Sequence, residues 1–136
     1  MQKHQCRNDR EVSRRARQKM VSDVIKLYEQ RKDPKTTRKE ARAIEKKINK
    51  KVEDWNLVYG EAGYLDLHLM TLYGALSFVA RMAARHKGHL YLETGVGNGS
   101  RDGVPVIKQS LLRKYEGNIK VCQNEGVLVL FVSQTW

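Results

Sequence analysis

The sequence predicts an α+β protein, and three observations lead to that fold class. Apolar residues recur every three or four positions through the first sixty residues, as they do along one face of a helix. After Gly88 the spacing changes to every second residue, which is typical of strands. The stretch VLVLFV is apolar at six successive positions, so we expect it in the middle of a sheet. Together they predict a basic N-terminal helical hairpin, a buried third helix and a C-terminal β-α-β-β unit with a small antiparallel three-stranded sheet.

The first helix is predicted from about Asp9, after a polar segment, residues 1–8, that we expect to be frayed. It ends at the stretch RKDPK, because Pro34 has no amide donor and disfavours a helical Asp33. Its apolar stripe, at four-residue steps, consists of Val12, Ala16, Met20, Val24 and Tyr28.

The second helix is predicted to begin at a capping box formed by Thr37 and Glu40. Its apolar residues again fall at intervals of three and four: Ala41, Ile44, Ile48, Val52, Trp55 and Tyr59. Residues 1–60 are therefore interpreted as a hairpin of two amphipathic helices, each with a narrow apolar stripe and a broad basic face.

Residues 64–86, YLDLHLMTLYGALSFVARMAARH, are apolar nearly all round and are interpreted as one buried helix. Their uncharged run, 67–80, has only 14 residues. A membrane span needs about 20, so we expect none. His68 is expected to be a hydrogen-bonded histidine of a core or an interface.

Residues 61–136 are interpreted as this helix plus the β-α-β-β unit, sharing one core with the hairpin. The predicted strands are HLYLE, NIKVCQ and VLVLFVS, with a helix over 104–115 after the first strand. Residues 124–126, Asn-Glu-Gly, are a good hairpin turn. We expect strand 127–132 in the centre, antiparallel to both neighbours, with helices 64–86 and 104–115 covering opposite faces.

The formal charge of +11 is concentrated at one end of the chain. Residues 1–51 contain 18 Lys or Arg against seven Asp or Glu, whereas residues 52–136 contain eight of each. Such asymmetry predicts a polyanionic partner, with nucleic acid ahead of an acidic protein surface. Aromatic residues lie on the apolar stripes, which favours contact with the phosphate backbone over base stacking. The candidate nucleic-acid-binding residues are Arg10, Arg14, Arg15, Arg17, Lys19, Arg38, Lys39, Arg42, Lys46, Lys47, Lys50 and Lys51.

The function predicted from these features is non-catalytic: an accessory or regulatory protein that binds DNA, RNA or a nucleoprotein complex. Cys6 and Cys122 are far apart and suggest free thiols in a reducing compartment, so the cytoplasm is the expected location. One alternative is an inhibitor or adaptor whose basic hairpin occupies an acidic or nucleic-acid-binding groove of a protein partner. A phage or mobile-element origin and a homodimer are further hypotheses.

The other alternative is an enzyme that uses Glu93 and the loop Gly95–Gly99. LETGVGNG resembles the first motif of class I methyltransferases, in which a strand runs into a G-x-G-x-G turn at the cofactor. The resemblance implies a sheet of six or seven strands, for which the 85 residues after Lys51 are too few. We therefore predict no cofactor, and interpret 94–103 as a loop that moves or contacts a partner.

Two further patterns, a helix followed by a hairpin and a pair of closely spaced histidines, could be functional or could serve only packing. A helix followed by a hairpin resembles winged-helix proteins, with Lys108, Gln109, Arg113 and Lys114 facing outward. Its tip carries Glu125 instead of a basic residue, so packing is favoured. His86 and His89 have a zinc-like spacing, but the sequence supplies no matched second pair. No metal ligand or catalytic residue is predicted.

Overall fold

The computed structural model describes residues 2–95 and 105–132, with side chains from Arg10 onward. Within these residues the chain forms four helices and a mixed four-stranded sheet, which confirms the predicted α+β class. The chain divides into two compact units, residues 1–59 and residues 60–136. We call them the helical unit and the sheet unit.

The helical unit consists of α1, Gln2–Lys32, and α2, Arg38–Tyr59, packed against each other. α1 begins ahead of the predicted start at Asp9. It ends at a polar turn, where the Thr36 hydroxyl donates a hydrogen bond to the Gln30 carbonyl over 2.8 Å. The Asp33 carboxylate accepts the Lys35 amide over 2.9 Å. Both bonds satisfy backbone groups that Pro34 and the helix end leave without helical partners.

The helix cap predicted at the start of α2 is present, since the Thr37 hydroxyl oxygen accepts the Glu40 amide over 3.1 Å. The Glu40 carboxylate accepts the Thr37 hydroxyl over 3.1 Å, where a full capping box would have it accept the Thr37 amide. The buried apolar side chains of the unit lie at the spacing that the sequence predicts: Met20, Val24, Ile48 and Val52.

The sheet unit contains the remaining six elements. They are β1, Tyr64–Asp66; α3, Leu72–Ala83; β2, Gly88–Glu93; α4, Val106–Lys114; β3, Ile119–Val121; and β4, Val127–Val132. The strand order is β1-β2-β4-β3. As predicted, β4 lies between β2 and β3 and is antiparallel to both. β1 pairs with β2 in parallel, and α3 forms the crossover between them.

The predicted helix over 64–86 is shorter in the structure, and the sheet has a fourth strand, β1, beside the three antiparallel strands that were predicted. Residues 64–69, YLDLHL, alternate polar and apolar, and their buried residues are Leu65 and Leu67 together with Asp66. This alternation fits a strand at the sheet edge. α3 starts only after Thr71, whose hydroxyl oxygen caps the helix by accepting the Gly74 amide over 3.2 Å.

The two helices of the sheet unit lie on one face of the sheet. α3 and α4 contact each other, which a sheet between them would prevent, so the prediction that they cover opposite faces is wrong. The buried face of the inner strands carries leucines: Leu90, Leu92, Leu128 and Leu130. The other face carries His89, Tyr91 and Phe131, which are exposed, so β4 is not covered on both faces along its whole length.

Among the described residues, the helices are too short or too polar to cross a membrane.

Candidate functional site

The twelve basic residues predicted to bind nucleic acid lie along both helices of the helical unit, and we call them the basic surface. All are exposed except Arg17, which is half-buried with its guanidinium 5.9 Å from the centre of the Trp55 ring. Arg17 thus combines its charge with a packing role.

Part of this charge is offset by neighbouring carboxylates. Glu11 lies 3.1 Å from Arg15 and 3.9 Å from Arg14. Lys50 and Lys51 also have acidic partners, Asp54 at 3.3 Å and Asp23 at 3.7 Å. These pairs are largely exposed, so each contributes little stability and can yield to a phosphate.

The first three turns of α2 carry positive charge that is not offset by neighbouring carboxylates. Arg38, Lys39, Arg42, Lys46 and Lys47 are exposed, and none of them forms an ion pair with a carboxylate among the described residues. The two acids of this segment act elsewhere, since Glu40 belongs to the helix cap and Glu45 lies 3.3 Å from Arg31. Residues four apart advance about 6 Å along a helix, so Arg38, Arg42 and Lys46 form an unneutralised row.

A second candidate site lies at the carboxyl end of the parallel strands in the sheet unit. Asp66 and Glu93 are the last residues of β1 and β2, and they are partners in the register. Paired residues project from the same face, so the two carboxyl groups lie side by side. His68, two residues beyond Asp66, completes what we call the carboxylate–histidine cluster.

The distances show a histidine held between two carboxylates. His68 Nδ1 lies 2.5 Å from Asp66 Oδ1 and 3.7 Å from Glu93 Oε2. Asp66 is buried, with 5% of its surface exposed, whereas the His68 side chain is 31% exposed. An ionised carboxylate only accepts hydrogen bonds, so Nδ1 is the ring nitrogen that donates to Asp66.

Tyr64 fixes the second carboxylate. Its hydroxyl donates a hydrogen bond of 2.7 Å to Glu93 Oε1, while Oε2 of the same group faces His68. Burial raises the pKa of Tyr64 well above its ordinary value of 10, and the bond to Glu93 raises it further. Tyr64 therefore remains a neutral donor at physiological pH, and it orients Glu93.

The cluster could also hold a divalent cation. One ligand atom from each of Asp66, His68 and Glu93 lies within 4.8 Å of the others. Carboxylate oxygen and imidazole nitrogen together suit metals such as Mn²⁺ and Zn²⁺.

The sequence analysis did not predict this cluster, although it named Glu93 in the alternative that the protein is an enzyme. His68 is hydrogen-bonded, as expected, but its side chain is partly exposed beside two acids and does not lie in the core. In a helix, residues 66 and 68 would point apart. In an extended chain they share a face, and the alternation L-D-L-H-L was the available signal.

The glycine run begins beside the cluster. Gly95 has φ +74°, and a Cβ added to it would lie 3.5 Å from His68 Cβ. The Gly126 carbonyl accepts the amides of Thr94 and Gly95 over 2.8 and 3.2 Å. The rest of the predicted loop, including Gly97 and Gly99, lies outside the described residues.

The two weaker patterns can be compared with the structure. Gln109, Arg113 and Lys114 are exposed, as expected, whereas Lys108 is half-buried and its ammonium donates to the Glu125 carbonyl over 2.9 Å. His86 Nε2 lies 2.7 Å from the His89 carbonyl oxygen, so this ring nitrogen already donates to the backbone.

Comparison with known proteins gives no match to any family model, to any curated protein or to any solved structure.

Proposed function

We propose that the protein binds nucleic acid through the basic surface, as an accessory or regulatory protein of the cytoplasm. The observation that carries the proposal is the unneutralised row on α2. Its cations are exposed, and the acids of the same segment are engaged within the helical unit. Counterion release from neutralised phosphates is the driving force expected for such a surface.

The row predicts phosphate contact without sequence readout. Lys and Arg side chains on one helix face can follow a backbone, and Arg adds bidentate hydrogen bonds to phosphate oxygens. Trp55 and Tyr28 are half-buried in the helical unit and, of its described rings, only Tyr59, at the end of α2, is exposed, so these rings form no exposed row for bases.

Salt titration tests this proposal on the full chain. Affinity for a generic DNA duplex is measured at increasing salt for the wild type and for the triple variant Arg42→Gln, Lys46→Gln, Lys47→Gln. Each lost phosphate contact should reduce the log–log slope by about 0.9, so we expect a decrease of up to about 3.

The matched control removes the same charge from the sheet unit: Arg85→Gln, Arg113→Gln, Lys114→Gln. All three residues are exposed. An equal change in slope for both triple variants would show that only net charge matters and would contradict the assigned surface. Absence of duplex and single-strand binding at low salt would overturn the function itself, and would favour the alternative of an acidic protein partner.

A second candidate function, acid–base catalysis, is favoured by the carboxylate–histidine cluster. Asp66 holds His68 in one tautomer, and in this candidate function Nε2 would accept the proton of a nucleophile. On a bound nucleic acid, the matching reaction is hydrolysis of a phosphodiester. Water would lose a proton to Nε2 and form a bond to phosphorus, the bond between phosphorus and the ester oxygen would break, and that oxygen would take the proton back from Nε2.

Cleavage of end-labelled RNA and DNA tests the second candidate, with and without added Mn²⁺. His68→Asn should abolish cleavage and Asp66→Asn should reduce it strongly, while Glu61→Gln, an exposed acid outside the cluster, should not change it. Equal cleavage by wild type and His68→Asn would assign any activity to a contaminant.

A further inference from the structure

The face of the sheet opposite α3 and α4 carries a compact group of rings. The register pairs His89 with Phe131, and Val129 with both Tyr91 and Lys120. These residues therefore project from one face of three adjacent strands. We call His89, Tyr91, Phe131 and Lys120 the aromatic face.

The rings contact one another and remain accessible. His89 meets Phe131 edge to face with centroids 4.7 Å apart, and it meets Tyr91 at 6.4 Å. Tyr91 and Phe131 keep 38% and 36% of their surfaces exposed. The Lys120 ammonium lies 5.9 Å from the centre of the Phe131 ring.

We propose that the aromatic face binds single-stranded nucleic acid, with bases stacked on Tyr91 and Phe131 and a phosphate beside Lys120. The inference rests on the proposed function and extends it to a second surface that contacts bases. Rings on adjacent strands of an open sheet, with a cation beside them, form the arrangement on which unpaired bases stack. Duplex bases are already stacked, so the ligand is a single strand.

A protein partner fits this surface less well. An aromatic side chain has roughly 150–250 Å² to bury, so the exposed fractions leave on the order of 150 Å² on the two rings. A specific protein interface needs about 800 Å² from each partner, so the two rings alone would supply a small part of one. The same area is enough for a base on each ring.

The aromatic face also leads toward the carboxylate–histidine cluster. Tyr91 and Glu93 are two residues apart on β2, which puts them on the same face and about 6.6 Å apart along the strand. A strand stacked on Tyr91 can thus extend past Glu93 to His68. The second candidate function would use a substrate positioned in this way.

The test compares affinities for oligouridine and for a DNA duplex, using the full chain. Tyr91→Leu and Phe131→Leu remove a ring but keep an apolar side chain. Each should weaken oligouridine binding by about 5- to 150-fold, the effect of losing one base stack, and leave duplex affinity unchanged. The control is Tyr73→Leu, which removes a ring that is 82% exposed on α3, away from this face, and should bind as the wild type does.

Conservative variants separate loss of a ring from loss of folding. Tyr91→Phe and Phe131→Tyr keep an aromatic ring and should retain oligouridine affinity. A strand containing 2-aminopurine gives a second measurement, because its fluorescence should be quenched on binding wild type and less quenched by the leucine variants.

The outcomes for the two surfaces differ. The proposed role of the aromatic face is overturned if Tyr91→Leu and Phe131→Leu bind oligouridine as tightly as Tyr73→Leu does. It is also overturned if the wild type does not quench 2-aminopurine fluorescence, even if duplex binding persists. If the wild type bound oligouridine but not the duplex, the result would count against the basic surface and would not contradict the aromatic face.

Discussion

The helical unit and the sheet unit carry their candidate sites in different ways. In the helical unit the site is a row of charges on one helix, and no side chain needs a partner at a fixed distance. In the sheet unit, Asp66, His68 and Glu93 converge only because β1 and β2 pair in one register. The first kind of site should tolerate changes in packing, whereas the second should be lost with small displacements.

The largest expected effect comes from the core of the sheet unit. Leu111 on α4 is fully buried, so Leu111→Ala should lower the free energy of unfolding by about 2–5 kcal/mol, measured by urea titration. Leu112→Ala, at the neighbouring half-buried position, is the control and should cost less. Where both variants remain folded, duplex affinity should equal that of the wild type. A loss of duplex affinity in folded Leu111→Ala would break the contrast between the units.

The next effect concerns the backbone on which the cluster depends. Gly95 and Gly117 both have positive φ, at +74° and +92°, and an added Cβ meets no atom closer than 3.5 Å at either position. Gly95→Ala and Gly117→Ala should therefore each cost about 1–2 kcal/mol in thermal unfolding, from backbone strain alone. A clearly larger loss of stability for Gly95→Ala would indicate that the added Cβ also displaces His68.

A smaller effect is expected at the start of α2. Thr37→Ala removes the oxygen that caps the helix and should cost about 1 kcal/mol in urea titration. Ser22→Ala, at an exposed position inside α1, should cost nothing. Because the charges of the row are unchanged, the salt slope of duplex binding should be the same as in the wild type. A flatter slope would mean that the basic surface depends on local geometry, as the cluster does.

The smallest effect is a pH dependence at Tyr64. Tyr64→Phe should cost up to about 1 kcal/mol at neutral pH, because it removes a half-exposed hydrogen bond to Glu93. Above pH 10 the unfolded chain releases the Tyr64 proton while the folded chain, with its raised pKa, retains it. Wild-type stability should therefore fall with pH more steeply than that of the variant, and the difference between them should shrink. A constant difference from pH 7 to above 10 would contradict the raised pKa.

Local patterns predicted most of the fold. The helix break at Pro34, the cap at Thr37 and the central antiparallel position of β4 each follow from a few neighbouring residues. β1 was missed because a short alternating segment lies directly before an apolar helix, and the two were interpreted as one element. Its parallel pairing with β2 is set by tertiary packing, which periodicity does not encode.

The two sites differ in how much of them the sequence could predict. Exposure of the unneutralised row follows from the spacing of its residues along a helix, so the basic surface could be predicted from the sequence. The cluster joins residues 66 and 93, which meet only across two strands, and the register that aligns them has no local signature. Pairing of His89 with Phe131 depends on register in the same way.

The lengths of the strands have a consequence for solubility. The outer strands β1 and β3 have three residues each, whereas the inner strands β2 and β4 have six. Unpaired amides and carbonyls at a sheet edge recruit strands from other molecules, and short edges limit that growth. The two short outer strands therefore offer little template for edge-to-edge aggregation between copies of the protein.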